Sequence, residues 1–389
     1  MTHFFRFDDL TWPEVAELPR DVPLVLPLGE GYAQSALAEA LSQPPRIGLL
    51  PPFPFGWRGS GLEVPEPVLG LYIGNLLASL REDGFSRVYA LTPLDIDLGL
   101  ACAQLCLPCA LPPACSPLPP NSERGKVILL PIGHTEQHAY HLPLSVDTII
   151  IEAIAKGAAE AAPDSGYTLP VMPYGVSTHR DSFPGTLNAG GRAFEDFWLA
   201  VVDALVERGF DKFYLMSGHG GNMSFLVNVV KYAGDRHKRI FCATAFLHTA
   251  GPAGAAALEQ YRESPIGGMG HACELETSMV LALRPDLVHM ERAADDTDFI
   301  ATPSYYMDWI EGGALIANPP WDDDTVSGAY GAGSLGTAEK GRRWLEVAIA
   351  EKVQHIHEIH EQHQRREARR RAGFGNWGKR NLKNLENTV

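Results

Sequence analysis

Three short polar segments, far apart along the chain, carry the side chains that could do chemistry. The first occupies residues 133–147 and reads GHTEQHAYHLPLSVD. Glu136 and His138 are two residues apart, so in extended backbone their side chains point the same way. Asp147 adds a second carboxylate at the start of a predicted helix, and Zn²⁺, Mn²⁺ and Fe²⁺ all accept this mixture of ligands. The structural alternative makes Asp147 a helix N-cap and His138 an ordinary loop residue.

The second segment is Ser-Gly-His-Gly-Gly-Asn at residues 217–222, directly after an apolar run. Its glycines let the backbone approach a ligand closely, and His219 is expected to project over the edge of a sheet. A glycine-rich turn between a strand and a helix can instead bind phosphate. This one lacks the spacing of either nucleotide-binding fingerprint.

The third segment is Gly-His-Ala-Cys-Glu-Leu-Glu-Thr-Ser at residues 270–278, which opens an apolar helix. If that helix begins near Ala272, His271 and Glu274 fall on one face and Glu276 on another. Acidic residues in a first helical turn also stabilise the helix dipole without any further role. That structural account fits Glu276 better than Glu274.

Strands and helices alternate around these segments. Apolar runs at 127–132, 169–172, 213–216 and 240–245 predict buried parallel strands. Helical patterns lie between and after them, at 148–162, 193–208, 223–237, 274–283 and 337–363. The alternation predicts an α/β fold with a mostly parallel sheet between layers of helices. Ligands in such folds bind at the carboxyl ends of the strands, where the polar segments fall.

The chain also contains an internal repeat. Residues 25–29, 54–56 and 84–91 resemble residues 129–133, 173–175 and 209–216, in the same order. The first copy has Tyr32, Gln34 and Leu94 where the second has Glu136, His138 and His219. We therefore predict a degenerate structural lobe at 1–110, a Pro-rich linker at 111–121, a catalytic domain at 122–364 and a basic tail at 365–389.

Composition excludes several classes of protein. The net charge of −15 argues against a nucleic-acid partner, and no apolar run reaches the length of a membrane span. No secretory signal pattern opens the chain, so we expect a cytoplasmic protein with free thiols.

Two further patterns have the spacing of metal sites. Cys102, Cys106 and Cys109 could bind an iron–sulfur cluster, and His357, His360 and Glu361 could bind a metal ion. We interpret them as buried thiols and a solvated helix surface.

Taken together, the three segments resemble the creatininase family. The motifs that carry the resemblance are Glu136-x-His138-x-x-His141-Leu-Pro-Leu with Asp147, Phe183-Pro-Gly-Thr186, Gly218-His-Gly-Gly-Asn222 and Gly270-His-Ala-x-Glu-x-Glu-Thr-Ser278. Order and spacing match over residues 125–350, and the first lobe resembles the family's amino-terminal half, including Asp9-Leu-Thr-Trp-Pro-Glu14. The resemblance implies a creatininase-like α/β fold and a hydrolase that uses two divalent metal ions (Zn, Mn or Fe). It also implies a small-molecule substrate and a homo-oligomer.

The resemblance further assigns roles to particular residues. It implies metal ligands at Glu136, His138, Asp147, His219 and Glu274, with Asp147 as the bridge. It implies proton transfer by His271, oriented by Glu276, and substrate contacts from His179, Ser177 and Asn222. This chain has Gly221 where creatininase itself has a glutamate ligand, and Gly220 and Gly267 where substrate-flanking aromatic residues are expected. Creatinine is therefore not the expected substrate.

Three functions are compatible with this pattern. The first is hydrolysis of a C–N bond in a small cyclic amide or formamide. The second is C–C ring opening of an oxidised inositol by the same metal chemistry. The third is a non-catalytic scaffold that only holds metal, although the complete ligand set in the second copy argues against it.

Overall fold

The computed structural model describes residues 1–109, 116–178, 182–245, 248, 251–308 and 312–373. Within those ranges, the helices are too short or too polar for any of them to cross a membrane. The predicted contact residue His179, residues 111–115 of the predicted linker and residues 374–389 of the predicted basic tail lie outside them.

The first lobe is built on one parallel sheet. Its elements are β1 (His3–Arg6), α1 (Trp12–Ala16), β2 (Leu24–Pro27), α2 (Gln34–Ala40), β3 (Arg46–Leu49), α3 (Glu66–Glu82), β4 (Val88–Thr92) and β5 (Gln104–Cys106). The strand order is β1-β3-β2-β4-β5, and every neighbouring pair is parallel. The four strand residues of β2 are all buried, as expected for a central strand covered on both faces.

The second lobe carries the polar segments. Its elements are β6 (Val127–Ile132), α4 (Val146–Ala161), β7 (Gly166–Thr168), α5 (Gly191–Glu207), β8 (Lys212–Ser217), α6 (Met223–Arg236), β9 (Phe241–Ala245), α7 (Pro252–Tyr261), β10 (Met269–His271), α8 (Glu274–Leu283), β11 (Asp295–Asp296), β12 (Tyr330–Ala332) and α9 (Ala338–Arg371). The strand order β7-β6-β8-β9 is parallel, and β10, β12 and β11 form a small antiparallel sheet. The predicted parallel α/β architecture is confirmed.

Two predicted elements differ from the structure by about three residues or more. The strand expected at 169–172 lies earlier, at Gly166–Thr168; after it, Leu169 N–H donates to the Leu129 carbonyl at 3.0 Å and Met172 forms an isolated bridge to Ile132. The prolines at 170 and 173 explain this shift, because proline has no N–H to donate to a neighbouring strand. Helix α9 continues to Arg371, past the predicted start of the basic tail at 365, and Arg365 pairs with Glu361 along it at 3.0 Å.

The repeated sequences make matching hydrogen bonds in the two lobes. Gly29 N–H donates to the Phe53 carbonyl at 2.9 Å, and Gly133 N–H donates to the Met172 carbonyl at 2.8 Å. The turns before β4 and β8 also correspond, since Phe85 N–H donates to Leu80 as Phe210 N–H does to Leu205. This agreement supports an ancient duplication, which stays our proposal.

The two lobes share one hydrophobic core. Phe53 of the first lobe packs edge-on against Phe197 of α5, with ring centroids 5.6 Å apart. The Tyr72 hydroxyl of α3 donates to the Tyr174 carbonyl at 2.9 Å. Trp12 of α1 donates its indole N–H to the Ser327 carbonyl at 2.8 Å. The first lobe therefore packs directly on the domain that carries the polar segments.

Candidate metal centre

The loop after β6 places Glu136 and His138 in the interior, and both side chains are fully buried. Glu136 N–H donates to the Leu144 carbonyl, and Leu144 N–H donates to the Leu10 carbonyl, both at 2.9 Å. The first hydrogen bond joins the two ends of the loop, and the second attaches the loop to the first lobe. It leads into α4, whose first turn carries Asp147.

His219 reaches the same place from the neighbouring strand β8. Gly218 is required here because a Cβ on it would lie 2.3 Å from the Asp147 carbonyl oxygen. The absence of a side chain lets the end of β8 approach the start of α4. That approach brings His219 Nδ1 within 2.6 Å of Glu136 Oε2 and 3.3 Å of Asp147 Oδ2.

The third segment completes the cluster. His271 ends β10, and Glu276 lies in the first turn of α8. His138 Nε2 lies 3.3 Å from Asp147 Oδ1 and 3.8 Å from Glu276 Oε1. Asp147 therefore contacts one imidazole with each oxygen: His138 with Oδ1 and His219 with Oδ2.

In each of these imidazoles, one ring nitrogen points away from the cluster and donates a hydrogen bond to a backbone carbonyl. These hydrogen bonds fix the tautomer of the neutral ring. His138 Nδ1 donates to the Glu136 carbonyl at 3.0 Å, and His219 Nε2 donates to the Val176 carbonyl at 3.0 Å. His271 Nε2 donates to the Gln137 carbonyl at 2.7 Å. Since each outer nitrogen carries a hydrogen, the inner nitrogen of each neutral ring presents a lone pair to the cluster.

His134 is a fourth imidazole at the centre that the sequence did not single out. It lies within ligand distance of Glu136 and His219, so proximity alone makes it a candidate ligand. However, His134 Nδ1 accepts a hydrogen bond from Gly175 N–H at 2.9 Å. The neutral ring therefore carries its hydrogen on Nε2, and that nitrogen is a donor rather than a metal ligand.

The electrostatics of the cluster favour positive charge. Burial lowers the pKa of His219, but Glu136 and Asp147 outweigh it and raise the pKa to about 9. His138 behaves likewise, since burial is outweighed by Asp147 and Glu276 and its pKa rises well above the usual value. For Asp147, burial is outweighed by His138 and His219, so its pKa falls below the usual range. Buried carboxylates in this number need cationic partners, and divalent metal ions would meet that need.

Glu274, predicted as a ligand, has a different environment. Its carboxylate accepts hydrogen bonds from Glu263 N–H and Ser264 N–H and lies 2.7 Å from Lys340 Nζ. The structure does not bring it into the cluster, where Glu276 lies instead. The reason is local: Ala272 is left-handed, with φ of 48°, and α8 begins only at Glu274. His271 therefore lies before the helix, and no helical face joins it to Glu274 as the sequence predicts.

Two of the predicted substrate-contact residues, Asn222 and Ser177, are not among the side chains that form the cluster. Asn222 is fully buried; its Oδ1 accepts from Val176 N–H at 2.9 Å, and its Nδ2 donates to Ser217 Oγ at 3.2 Å. It ties two loops together. Ser177 lines a separate small cavity of about 200 Å³. His179 lies outside the described residues.

A cavity of about 680 Å³ opens above the cluster. Glu136, Asp147, His219, His271 and Glu276 line its floor. Its walls carry large side chains that the sequence did not single out, among them Phe225, Tyr305, Tyr306, Met307 and Trp321. The Trp321 ring meets the His271 ring edge-on at 4.8 Å, so His271 lies between the floor and the wall. The cavity is concave and mixes apolar walls with a polar floor, as small-molecule sites do.

The cysteine pattern at 102–109 and the histidine pattern at 357–361 each have one member with a hydrogen bond to a backbone carbonyl. Cys109 Sγ donates to the Glu30 carbonyl at 2.9 Å, and Cys102 and Cys106 are exposed rather than buried as we expected. His360 Nε2 donates to the Ser165 carbonyl at 2.9 Å. Among the residues that the structure describes, neither pattern forms a group of ligands that could hold a metal.

Fold and site together define an α/β protein with a buried carboxylate–imidazole centre that opens into a substrate-sized cavity. The creatininase family model, described as creatinine amidohydrolase, matches residues 119–356. The chain belongs to the creatininase family.

Three relatives illustrate the range of this family. The chain is 29% identical to a creatinine amidohydrolase of Pseudomonas putida over an alignment of 182 residues that covers 43% of this chain and 68% of that protein. It is 28% identical to a 3-dehydro-scyllo-inosose hydrolase of Thermotoga maritima over an alignment of 242 residues that covers 57% of this chain and 74% of that protein. It is 29% identical to a mycofactocin precursor peptide peptidase of Mycobacterium ulcerans over an alignment of 242 residues that covers 59% of this chain and 84% of that protein. All three are hydrolases, and the chain is a creatininase-family hydrolase.

Solved structures show the same fold. A manganese creatininase superposes with a TM-score of 0.52 at 24% identity, covering 61% of this chain and 92% of that one. A mutant creatininase complexed with creatine superposes with a TM-score of 0.53 at 23% identity, covering 62% and 94%. At these identities the likeness concerns the fold alone.

Proposed function

We propose that the protein is a two-metal hydrolase that cleaves a C–N bond in a small cyclic amide or formamide. The observation that carries the proposal is the position of Asp147, whose two oxygens contact His219 on one side and His138 on the other. A carboxylate between two imidazoles, each accompanied by another carboxylate, matches the ligand set of a bridged pair of divalent cations.

The residues divide into two ligand groups. Glu136 and His219 would hold one cation, and His138 and Glu276 would hold the other, with Asp147 shared. Glu276 replaces Glu274 in this scheme because only Glu276 lies beside His138. Zn²⁺, Mn²⁺ and Fe²⁺ all accept this ligand set. When bound, such cations lower the pKa of a water molecule and polarise a carbonyl group.

The remaining chemistry belongs to the chain's own residues. His271 lines the cavity, and its Nε2 hydrogen bond to Gln137 leaves Nδ1 facing the floor. It is placed to carry a proton from the attacking water to the leaving nitrogen. Phe225 and Trp321 enclose the reacting group and limit its contact with bulk water.

A second candidate is C–C ring opening of an oxidised inositol. The observation in its favour is the 28% identity to the Thermotoga inosose hydrolase, over an alignment that covers 57% of this chain. A polarised carbonyl beside a proton carrier would serve both reactions.

Elemental analysis of protein purified without added metal tests the proposal. We expect about two divalent cations per chain, loss of activity on chelation and its return with Zn²⁺ or Mn²⁺. A panel of lactams, formamides and inososes then separates the two reactions. Glu136→Gln should lose metal and activity, whereas the exposed Glu263→Gln should retain both. Full activity without metal would overturn the proposal, and metal binding without turnover of any class would favour the scaffold.

A further inference from the structure

Gln137 lies between two proposed metal ligands, Glu136 and His138, but its carbonyl is directed at His271. That carbonyl accepts the His271 Nε2–H at 2.7 Å, which leaves Nδ1 of the ring facing the floor, 3.6 Å from Glu136 Oε1. The Gln137 side chain is fully buried and does not line the cavity above the metal centre. Any part that Gln137 takes in the reaction must therefore act through another residue.

Three hydrogen bonds fix the position of Gln137. Its Oε1 accepts from Ala139 N–H at 2.9 Å, which closes a turn within the loop after β6. Its Nε2 donates to the Gly328 carbonyl at 2.8 Å, in the segment just before β12. Its backbone N–H donates to Thr186 Oγ1 at 3.0 Å. Gln137 is thus tied to its own loop and to two distant segments, and its carbonyl is held in one direction.

The chain leaves room for the Gln137 amide at Gly328. The φ of Gly328 is 85°, and a Cβ on it would lie 2.2 Å from Gln137 Oε1 and 2.7 Å from Cδ. Because Gln137 is fully buried, its amide could move aside only by giving up hydrogen bonds to the surrounding protein. A side chain at position 328 would therefore displace the amide.

Two other rings hold the faces and edge of the His271 imidazole. The His138 ring lies against it with centroids 4.1 Å apart, and the Trp321 ring meets it edge-on at 4.8 Å. Neither contact is a hydrogen bond, so neither decides which ring nitrogen faces the floor. Gln137 Nε2 also approaches His271 Nε2, but at 3.3 Å against 2.7 Å for the carbonyl. The carbonyl is the stronger partner and sets the orientation of the ring.

We infer that Gln137 is a positioning residue, whose fixed side chain aims its carbonyl at His271 and so keeps Nδ1 directed at the reacting group. The inference rests on the proposed function, in which Nδ1 takes a proton from the attacking water and gives it to the leaving nitrogen. A proton carrier must lie within hydrogen-bond reach of both groups, and a small misplacement is costly. The carbonyl also stabilises the ring while it carries the extra proton, because the Nε2–H bond is then charge-assisted.

Steady-state kinetics of the full-length, zinc-loaded protein tests this inference with two variants. Gln137→Met keeps the length of the side chain and removes its hydrogen bonds, whereas Gly328→Ala displaces the same amide from the opposite side. We expect each variant to lose about tenfold to a hundredfold in kcat per bound zinc, with KM and zinc content unchanged. The matched control is Gly125→Ala, since Gly125 also has a positive φ, of 95°, but a Cβ there meets nothing within 4 Å. It should keep the kcat of the unaltered protein.

An unchanged kcat in both Gln137→Met and Gly328→Ala would overturn the inference. A loss of zinc in proportion to the loss of activity would also overturn it, because Gln137 would then support the ligands on either side of it.

A second measurement does not depend on turnover. In the unaltered protein the His271 Nε2 hydrogen should give a slowly exchanging, downfield ¹⁵N–¹H signal, because a buried hydrogen bond of 2.7 Å protects it. Its absence in His271→Gln assigns the signal, and it should broaden in Gln137→Met and Gly328→Ala. An unchanged signal in both would overturn the inference. Broadening in both, when the unaltered protein turns over no amide, formamide or inosose, would count against the proposed function alone.

Discussion

The ammonium group of Lys340 lies 2.7 Å from Glu274 Oε1, at the packed contact between α8 and α9. Glu274 is fully buried, and two backbone N–H groups also donate to it. The Glu274 carboxylate is therefore paired with groups of the protein itself. Glu276, two residues on, instead reaches towards His138.

This difference predicts opposite effects for two conservative substitutions. Glu274→Gln should leave the metal content unchanged and lower the free energy of unfolding by about 1–3 kcal/mol, because Lys340 then keeps only its exposed carboxylate partner Glu263. Glu276→Gln should lower the metal content while changing stability much less. Urea denaturation and elemental analysis of both variants check the prediction. Loss of metal in Glu274→Gln alone would restore the ligand assignment expected from the sequence.

A second prediction concerns the approach of β8 to α4. A Cβ at position 218 would lie 2.3 Å from the Asp147 carbonyl oxygen, which is backbone and cannot rotate away. Gly218→Ala should therefore separate His219 from Asp147, reduce metal content and destabilise the protein by about 1–3 kcal/mol. Gly220→Ala is the matched control in the same loop, because a Cβ there meets nothing within 4 Å. Similar metal content and melting temperature in both variants would contradict the prediction.

Metal binding should release protons. The pKa of His219 is raised to about 9 and that of His138 lies well above its usual value, so both rings hold an extra proton at pH 7 when no metal is bound. A metal ion needs the inner lone pair and must displace that proton. Affinity should therefore fall as the pH falls from about 9, the pKa of His219.

Calorimetric titration with Zn²⁺ at pH 7, in buffers of different ionisation enthalpy, measures this release. We expect about two protons when both positions fill, and about one fewer in His219→Gln. Titration heats that do not depend on the buffer would show that the rings are already neutral.

The sequence predicted the parts of the site that depend on short-range pattern. The apolar run at 127–132 is β6, and the residues after it and after β8 meet because neighbouring parallel strands end at one edge. It failed at the third segment, where His271 and Glu274 were expected on one face of a helix that begins near Ala272. His271 instead ends β10 and α8 begins at Glu274, so no helical face joins these two residues.

Contacts between distant segments also could not be predicted from the sequence. His134 and Trp321 give no local pattern, because their importance comes from partners far along the chain, at Gly175 and His271. The predicted division into two lobes likewise rested on the internal repeat, which carries no information on how the two copies pack. Nothing in the sequence indicates that Phe53 and Phe197 pack in one core.

That shared core leads to the last prediction, which concerns Trp12 of the first lobe. Its indole packs against Phe183 and Tyr140, with centroids 5.3 and 5.4 Å away, and donates to the Ser327 carbonyl. The neighbouring Leu10 carbonyl accepts from Leu144 N–H, in the loop that carries Glu136 and His138. The first lobe thus helps to hold the proposed metal-binding loop in position. Trp12→Ala should lower the free energy of unfolding by about 1–3 kcal/mol, less than for a fully buried tryptophan because Trp12 is half-buried, and should weaken metal binding as the loop loosens.

Trp12→Phe provides the matched comparison, because it keeps an aromatic ring but loses the hydrogen bond to Ser327. It should retain most of the metal affinity and lose about 1 kcal/mol of stability. Denaturation followed by circular dichroism and by metal release should give one coincident transition in the unaltered protein, since both lobes share a core. Two separate transitions, with metal retained after the first, would show instead that the lobes fold independently and that Trp12 has no part in holding the site.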